Sequence, residues 1–545
     1  MDTHKRTRDS VAYATILGPV VKRVIVLFKE FNFEGFYVVS DTELLLLELV
    51  QSDTFPTAID MEGPKEVLKK VLITGAIALW LLGIPLMGNA LAAPFDAEAA
   101  VTNAQTAADT AFMLISSALV LLMTPGLAFF YGGFVRSRNV LNTMMMSFFA
   151  MGLIGVVWIL VGYSLSFAPG LPFIGGLDWA FLNNVGLGTS KYLPHFAYED
   201  ALKAKDANYA DVVSYAGTIP HQAYMIYQAM FAIITPALIS GAIAERMTFR
   251  SYVLFLLLWS LFIYCPMAHM VWAKGGFLGL YGGLGALDFA GGTVVHISSG
   301  VSALVAAILL GPRKTYPNQL TPPHNVPYIL LGAGLLWFGW FGFNAGSAYA
   351  AGPLSTVAFV ATNTAAAAAL LTWLVLEQVL RGKPTAVGAA TGAVAGLVGV
   401  TPAAGFVTPI GALLIGSIVA AACFFAVSYK VKAGVDDALD TFPVHGVGGT
   451  VGAILTGIFA TKAVNPAGAD GLLFGNPGQL VTQIIAVVFT YVFAAVGTFI
   501  IIKILDATVG LRPKAEAEFQ GMDINEHGEE GYGEEFGGGV SLSDG

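Results

Sequence analysis

Residues 288–296 read DFAGGTVVH and residues 437–445 read DALDTFPVH; these two stretches decide how the chain is read. In each, an aspartate precedes a histidine by eight residues and a glycine follows it by four: Asp288, His296 and Gly300, then Asp437, His445 and Gly449. Both histidines open or lie within hydrophobic runs long enough to cross much of a bilayer. An ionisable side chain is costly at membrane depth, so one inside a span is read first as functional. Two, related by an internal repeat, point to a paired element at the centre of a pore or transporter.

The composition around them agrees. The 545 residues are 56% hydrophobic and 12% charged, with a mean hydropathy of +0.71, against about 25% charged in a soluble domain. Such a chain is a membrane protein. The net charge of −9 sits mostly in residues 511–545, where Arg512 and Lys514 face nine carboxylates between Glu516 and Asp544. Nothing suggests a nucleic-acid partner. Cys265 and Cys423 fall in separate apolar runs, as small core residues rather than a disulfide or metal framework.

Windows of about 20 apolar residues predict eleven spans, at 111–134, 142–167, 222–244, 251–273, 289–311, 327–348, 355–380, 386–400, 404–428, 445–461 and 480–506. The eighth and tenth are short and rich in Gly, Ala and Thr, as segments lining a transport site often are. Basic residues cluster after odd-numbered spans: Arg136/Arg138, Arg246/Arg250, Arg313/Lys314, Arg381/Lys383, Lys430/Lys432 and, after the last, Arg512/Lys514. The opposite connections hold Lys191, Lys203, Lys205, Lys274 and Lys462, mostly in one long loop. The asymmetry puts the odd-numbered exits and the acidic tail in the cytoplasm.

The first span then starts outside, and the sequence offers a reason. Residues 61–93 carry Lys65, Lys69 and Lys70, then an apolar stretch, then Ala90-Leu-Ala92, the pattern of a secretory signal peptide. Met61 reads as the natural start and 1–60 as a mis-called extension; a genuine extension or a twelfth span at 71–88 stays open. The expected organisation is thus 1–60 unassigned, 61–93 signal peptide, 94–510 transmembrane domain and 511–545 cytoplasmic tail. Spans one to five and six to ten form two halves, each with an odd number of helices. That forces opposite orientations, an inverted repeat whose matching residues approach near the midplane. The fold class is all-α membrane protein, two five-helix repeats plus a final helix.

Five stretches carry a resemblance: DFAGGTVVH (288–296), GWFGFNAGSA (339–348), ISGAIAERM (239–247), AHMVW (268–272) and FPVHGVGGTVG (442–452). Together they resemble the ammonium transporter family (Amt/Mep/Rh), of the bacterial Amt type, from about residue 105 to about 532. The resemblance implies eleven helices, a homotrimer and one conducting pore per subunit in the plasma membrane, used for nitrogen utilisation. His296 and His445 would be its twin pore histidines. A neutral imidazole both donates and accepts hydrogen bonds, so a facing pair can hold ammonia and relay a proton.

Phe231, Trp272 and Ser347 match the family's recruitment site for ammonium, and Tyr227 stands where it often has an aromatic. Ring faces attract a cation by roughly 0.5–2 kcal/mol each, and Ser347 accepts a hydrogen bond that potassium cannot offer. Phe231 and Phe343 match two stacked rings that block the entrance. Asp288 matches the acidic residue beneath that site and is expected to cap the fifth span rather than ligate; Asp437 takes the repeat-related place. His269 and His221 read as structural or vestibular, and His195 and His324 lie in loops. The tail GLRPKAEAEFQGMDINEHGEEGY (510–532) resembles the family's C-terminal segment, a candidate contact for neighbouring subunits and a PII-type nitrogen-regulatory protein. Its charge alone reads as solvated or disordered.

The rival readings are a bis-histidine haem protein, an ammonium sensor on the same fold and a carbon-dioxide or Rh-like preference. The aromatic set favours the ammonium branch. No nucleophile–base set, metal cluster or phosphate loop appears, so neither an enzyme nor a cofactor is expected.

Overall fold

The computed structural model describes residues 97–186, 215, 217–317 and 322–532. The expectations for 1–60 and 61–93, and Lys191, His195, Lys203 and Lys205, lie outside the described residues. The chain divides between Val101 and Thr102; of the first unit, Met1–Val101, only residues 97–101 are described, as the opening of a helix.

Among the described residues, ten helices are long and apolar enough to cross a membrane, and an eleventh, Ala386–Val400, is shorter. In chain order they are α1 (Ala97–Phe134), α2 (Ser137–Phe167), α3 (His221–Ile243), α4 (Phe249–Trp272), α5 (Gly292–Leu310), α6 (Val326–Ala348), α7 (Pro353–Arg381), α8 (Ala386–Val400), α9 (Pro409–Lys432), α10 (Phe442–Phe459) and α11 (Pro477–Thr508). They are the eleven spans of the sequence reading, with three instructive shifts. The helix α1 starts 14 residues early, because 97–110 is too polar for a hydropathy window yet rich in alanine, the best helix former. The helix α9 starts at Pro409, not 404, because Thr408 caps it by accepting from Gly411 N and Pro409 suits a first helical position. The helix α10 starts at Phe442, not 445, because the Asp437 carboxylate accepts from the amides of Thr441 and Phe442.

The helix α3 is buried on nearly all sides, whereas α2, α7 and α11 turn exposed apolar residues such as Ile159, Val375, Val379, Val488 and Val492 outward. Those rows face lipid, where backbone groups must be satisfied within the helices themselves.

The two histidine-bearing helices cross at the centre. A Cβ on Gly300 would stand 2.2 Å from Gly446 N, and one on Gly449 would stand 2.9 Å from His296 Cβ. Each glycine four residues past its histidine thus admits the other helix, the reciprocity that a two-fold-related repeat requires. The helix α11, outside the repeat, packs across α4, α5 and α10.

The tail departs from its expected solvation. Residues 511–532 fold back as α12 (Ala515–Gln520) and α13 (Met522–His527). Their acids satisfy amides that helix starts leave orphaned. Asp523 accepts from Leu141 N at 3.0 Å and Asn142 N at 2.8 Å, Glu526 from Phe249 N at 2.9 Å, and Glu518 from Lys314 N at 3.2 Å and Arg512 at 2.5 Å. Beneath lies an ion network: Glu245 accepts from Arg136 Nε, Asn139 Nδ2 and Arg313, each at 2.8 Å, and Arg313 also meets Asp436 at 2.8 Å. Asn139 in turn accepts from Met522 N at 2.8 Å, joining the tail to the network.

Candidate functional site

The site begins at the face opposite the tail, where α3, α4 and α6 converge. One turn of α3 separates Tyr227 from Phe231, whose ring centroids lie 5.0 Å apart. Trp272, last residue of α4 and half-buried, meets the Phe231 ring edge-on at 5.8 Å. Its Nε1 donates to the Asp288 carbonyl at 3.0 Å. The end of α6 supplies Phe343 and, four residues on, Ser347, whose Oγ donates to Phe343 O at 2.9 Å. The Tyr227 hydroxyl reaches Phe343 O at 2.7 Å, Gly342 O at 2.9 Å and Ser347 Oγ at 3.2 Å. With both hydroxyl hydrogens turned to backbone carbonyls, Ser347 keeps lone pairs to accept from an N–H donor. Sequence reasoning placed Phe231, Trp272, Ser347 and Tyr227 in one site, and the fold brings all four together.

Beneath them the rings continue in file. Phe231 and Phe343 lie 4.2 Å apart at 30°, closing the way inward. Phe343 lies 6.2 Å from the His296 imidazole, which stacks 5.3 Å from that of His445. The two Nδ1 atoms approach to 3.2 Å.

What holds His296 in place is local. The Asp288 carboxylate accepts from the amides of Gly291 at 2.7 Å, Gly292 at 2.6 Å and Thr293 at 2.8 Å, and from the Thr293 hydroxyl. It is the cap expected of it; Asp437 repeats it at the same offsets, on Thr441 at 3.1 Å and Phe442 at 2.7 Å. Gly291 turns the chain into α5 with φ +118°, where a Cβ would meet Val295 Cγ2 at 2.5 Å. Each histidine then rides a widened π-type turn, Gly292–Ile297 and Phe442–Val447, a distortion that recurs at functional sites.

Two residues the sequence reading did not single out complete the pair. Trp340 stacks on His296 at 5.5 Å and 20°. Its Nε1 donates to Thr401 Oγ1 at 3.0 Å, while that hydroxyl donates to Leu397 O at 2.8 Å. The hydroxyl's hydrogen is thus committed, so its 3.3 Å contact with His296 Nε2 takes the hydrogen from the histidine. With neutral rings, His296 Nδ1 is then the acceptor and His445 Nδ1 the donor between them. Trp340 lay inside the quoted GWFGFNAGSA stretch, so a signal was present. Thr401 offered none beyond its place after the short eighth span.

A cavity of about 10 Å³ runs beside both histidines, walled by Phe343, Trp340, Leu238 and Val295. A second of about 10 Å³ continues from His445 towards Asp440 and Thr441, past Phe130 and Tyr131. Each has room for about one water-sized molecule. Asp440 pairs there with Lys430. The remaining histidines lie elsewhere: His269 Nδ1 contacts Ser166 O at 3.1 Å, His221 Nε2 contacts the Tyr163 hydroxyl at 2.6 Å, and His324 joins Val135 O to the Tyr532 hydroxyl. Cys265 and Cys423 are buried, unpaired thiols. Among the described residues no group of three or more His, Cys, Asp or Glu could hold a metal ion.

Apolar spans, crossed helix starts and a file of rings and imidazoles define a multi-pass membrane protein with a narrow, nearly uncharged interior passage. Residues 111–532 match the family described as Ammonium Transporter Family. The chain is 50% identical over 425 residues to the ammonium transporter of Bacillus subtilis (strain 168), covering 78% of this chain and 98% of that one. Among solved structures, Candida albicans Mep2 aligns with a TM-score of 0.68 at 34% identity, over 76% of this chain and 88% of that one. One titled Sensor Amt Protein aligns at 0.67 and 28% identity, over 78% and 99%. The chain belongs to the ammonium transporter family.

Proposed function

We propose that this protein captures ammonium at the Trp272 face, takes a proton from it and conducts ammonia past His296 and His445 to the tail face. The observation that carries this reading is the 3.2 Å Nδ1–Nδ1 pair lying in file behind the Phe231–Phe343 closure. Ammonium meets three aromatic groups and the free lone pairs of Ser347 at the mouth, with Tyr227 ordering that hydroxyl. Beyond the closure, no side chain along either cavity wall carries an unpaired charge, and an unpaired cation in apolar surroundings is costly enough to give up its proton. The neutral molecule then finds imidazole donors and acceptors in line. The proton leaves separately or through the histidine pair.

A haem reading fits the geometry less well. Two metal–imidazole bonds of about 2 Å each would spread in-line nitrogens to about 4 Å, and the rings contact each other directly. A sensor reading shares the fold; identity to a protein named a transporter is 50%, against 28% to the sensor. In the full reading the tail face is cytoplasmic, residues 61–93 are removed as a signal peptide, and the mature chain is a plasma-membrane homotrimer. The docked tail would then offer its surface to a PII-type regulator.

Reconstitution in liposomes tests the central claim. An ammonium gradient should drive methylammonium-competed uptake and, if the proton follows, a current. His296→Ala combined with His445→Ala should abolish selective uptake; retention of wild-type selectivity would overturn the histidine role.

A further inference from the structure

The helix α11 lies outside the repeat, yet two glutamines one turn apart on it reach into the site's framework. Gln483 is 1% exposed. Its Oε1 accepts from Leu287 N at 2.7 Å while its Nε2 donates to Leu287 O at 2.8 Å and to Ala453 O at 3.2 Å. A side-chain amide thereby pairs with both polar groups of one residue, as a neighbouring strand would, and at the same time grips α10. Gln479 supports it, donating to Gln483 Oε1 at 3.2 Å and to Gly285 O at 3.1 Å. The gripped residue is the one before Asp288. Asp288 caps the His296 helix with its carboxylate and holds the Trp272 indole with its carbonyl. On the other flank, Phe289 N donates to Pro402 O at 3.1 Å, so the unwound segment 285–291 is pinned from both sides.

We propose that Gln483 is a positioning residue for ammonium capture: it fixes the Leu287–Asp288 peptide against α10, and so sets Trp272 at the mouth relative to the histidine helices. The inference rests on the capture role proposed for Trp272. Gln483 touches no substrate. It acts through the Asp288 carbonyl, and its second bond, to Ala453, ties that carbonyl to the helix that carries His445. A helix outside the repeat is thereby given a task, since neither half can clamp its own unwound segment to the other half.

The test compares purified full-length protein with Gln483→Met, which keeps the length and loses every polar contact. Thr490→Val is the control, removing a buried hydroxyl on the same helix whose partner is only Ala486 O at 2.8 Å. Methylammonium uptake against concentration should show Gln483→Met raising apparent KM at least five-fold with maximal rate within two-fold, and Thr490→Val changing neither. Amide hydrogen exchange should accelerate over 285–294 in Gln483→Met alone. Unchanged exchange overturns the clamp. Faster exchange with unchanged KM, or a loss confined to maximal rate and protein yield, overturns the positioning role. Should Gln483→Met fail to accumulate, Gln479→Met removes only the supporting bonds and should move KM and exchange in the same direction, by about two-fold. Trp272→Leu is run alongside: if it leaves KM unchanged, the capture reading fails, while the exchange result still decides the clamp.

Discussion

Replacing Glu245 by Gln should weaken the fold at neutral pH by about 3 kcal/mol, and that deficit should shrink in acid. Glu245 is buried at the tail face and turns its carboxylate to Arg136, Arg313 and Asn139, each at 2.8 Å. Burial alone would raise its pKa; Arg313 and then Arg136 more than reverse that, taking it from 4.5 to about 2. By linkage a depression of that size is worth about 3 kcal/mol at pH 7, which agrees with the roughly 3–5 kcal/mol for breaking a buried pair from one side. The sign is that of a depressed acid. The stabilisation is fully present above the unfolded value near 4.5 and is lost as pH falls through the folded value near 2. By roughly pH 3 more than half is gone.

The assay is thermal unfolding of detergent-purified wild type and Glu245→Gln from pH 7 to pH 3. Their difference isolates this carboxylate, because Asp436, likewise held below its ordinary value despite burial by Arg313 and Arg246, titrates in both proteins. Equal melting at pH 7, or a gap that stays constant down to pH 3, would refute the reasoning.

Ser347→Ala removes one acceptor worth about 1 kcal/mol and should raise the apparent KM for methylammonium about five-fold, with potassium becoming a better competitor; an unchanged KM in excess potassium places selectivity deeper. Phe343→Ala should open the closure at Phe231 without a matching rise in flux, since the ring also strips water from the ion; unchanged transport in each single variant and in the double variant with Phe231→Ala speaks against a gate. Asp523→Ala leaves the amides of Leu141 and Asn142 without their acceptor, a loss of about 1–2 kcal/mol, and should speed tryptic cleavage at Arg512 and Lys514. Burial holds the Asp523 pKa above its ordinary value, with the Asn142 and Leu141 amides opposing. A raised acid costs stability at neutral pH and recovers it as pH falls, so mild acid should not release the tail.

The fold was legible because membrane spans are written in runs of side chains. The expected 386–400 coincides with α8, and α3, α4, α6, α7 and α11 end within three residues of their predicted bounds. Hydropathy failed where propensity took over, at the alanine-rich start of α1. Of the site, the paired Asp and His residues carried both the repeat and its crossing, because the glycines four residues on are the second half of the same signal. Thr401 and Gln483 were not legible. A threonine in a Gly/Ala/Thr-rich segment looks like its neighbours, and one glutamine in an apolar run says nothing of the backbone it will meet. The tail misled for a related reason. Nine carboxylates read as solvated charge until the fold supplies the helix starts that they cap.

The distribution of charge also bears on how such a passage could prefer a neutral molecule. Asp288 and Asp437 both spend their oxygens on amides at the starts of α5 and α10, and Asp440 is met by Lys430, so the carboxylates flank the histidines rather than join them. Between these ends the walls offer Phe, Leu, Val and Trp with two imidazoles, in cavities that admit about one small molecule each. A cation entering would lose its water and find no counter-charge, a cost of many kcal/mol that three ring faces at about 0.5–2 kcal/mol each cannot return. An ammonia molecule loses far less and can bond to an imidazole. Adding a carboxylate in place of either histidine should therefore turn the passage into one that admits ions, and potassium permeation through His296→Asp would show it; an ion-tight His296→Asp protein that still moves methylammonium would mean that something other than the missing counter-charge excludes cations.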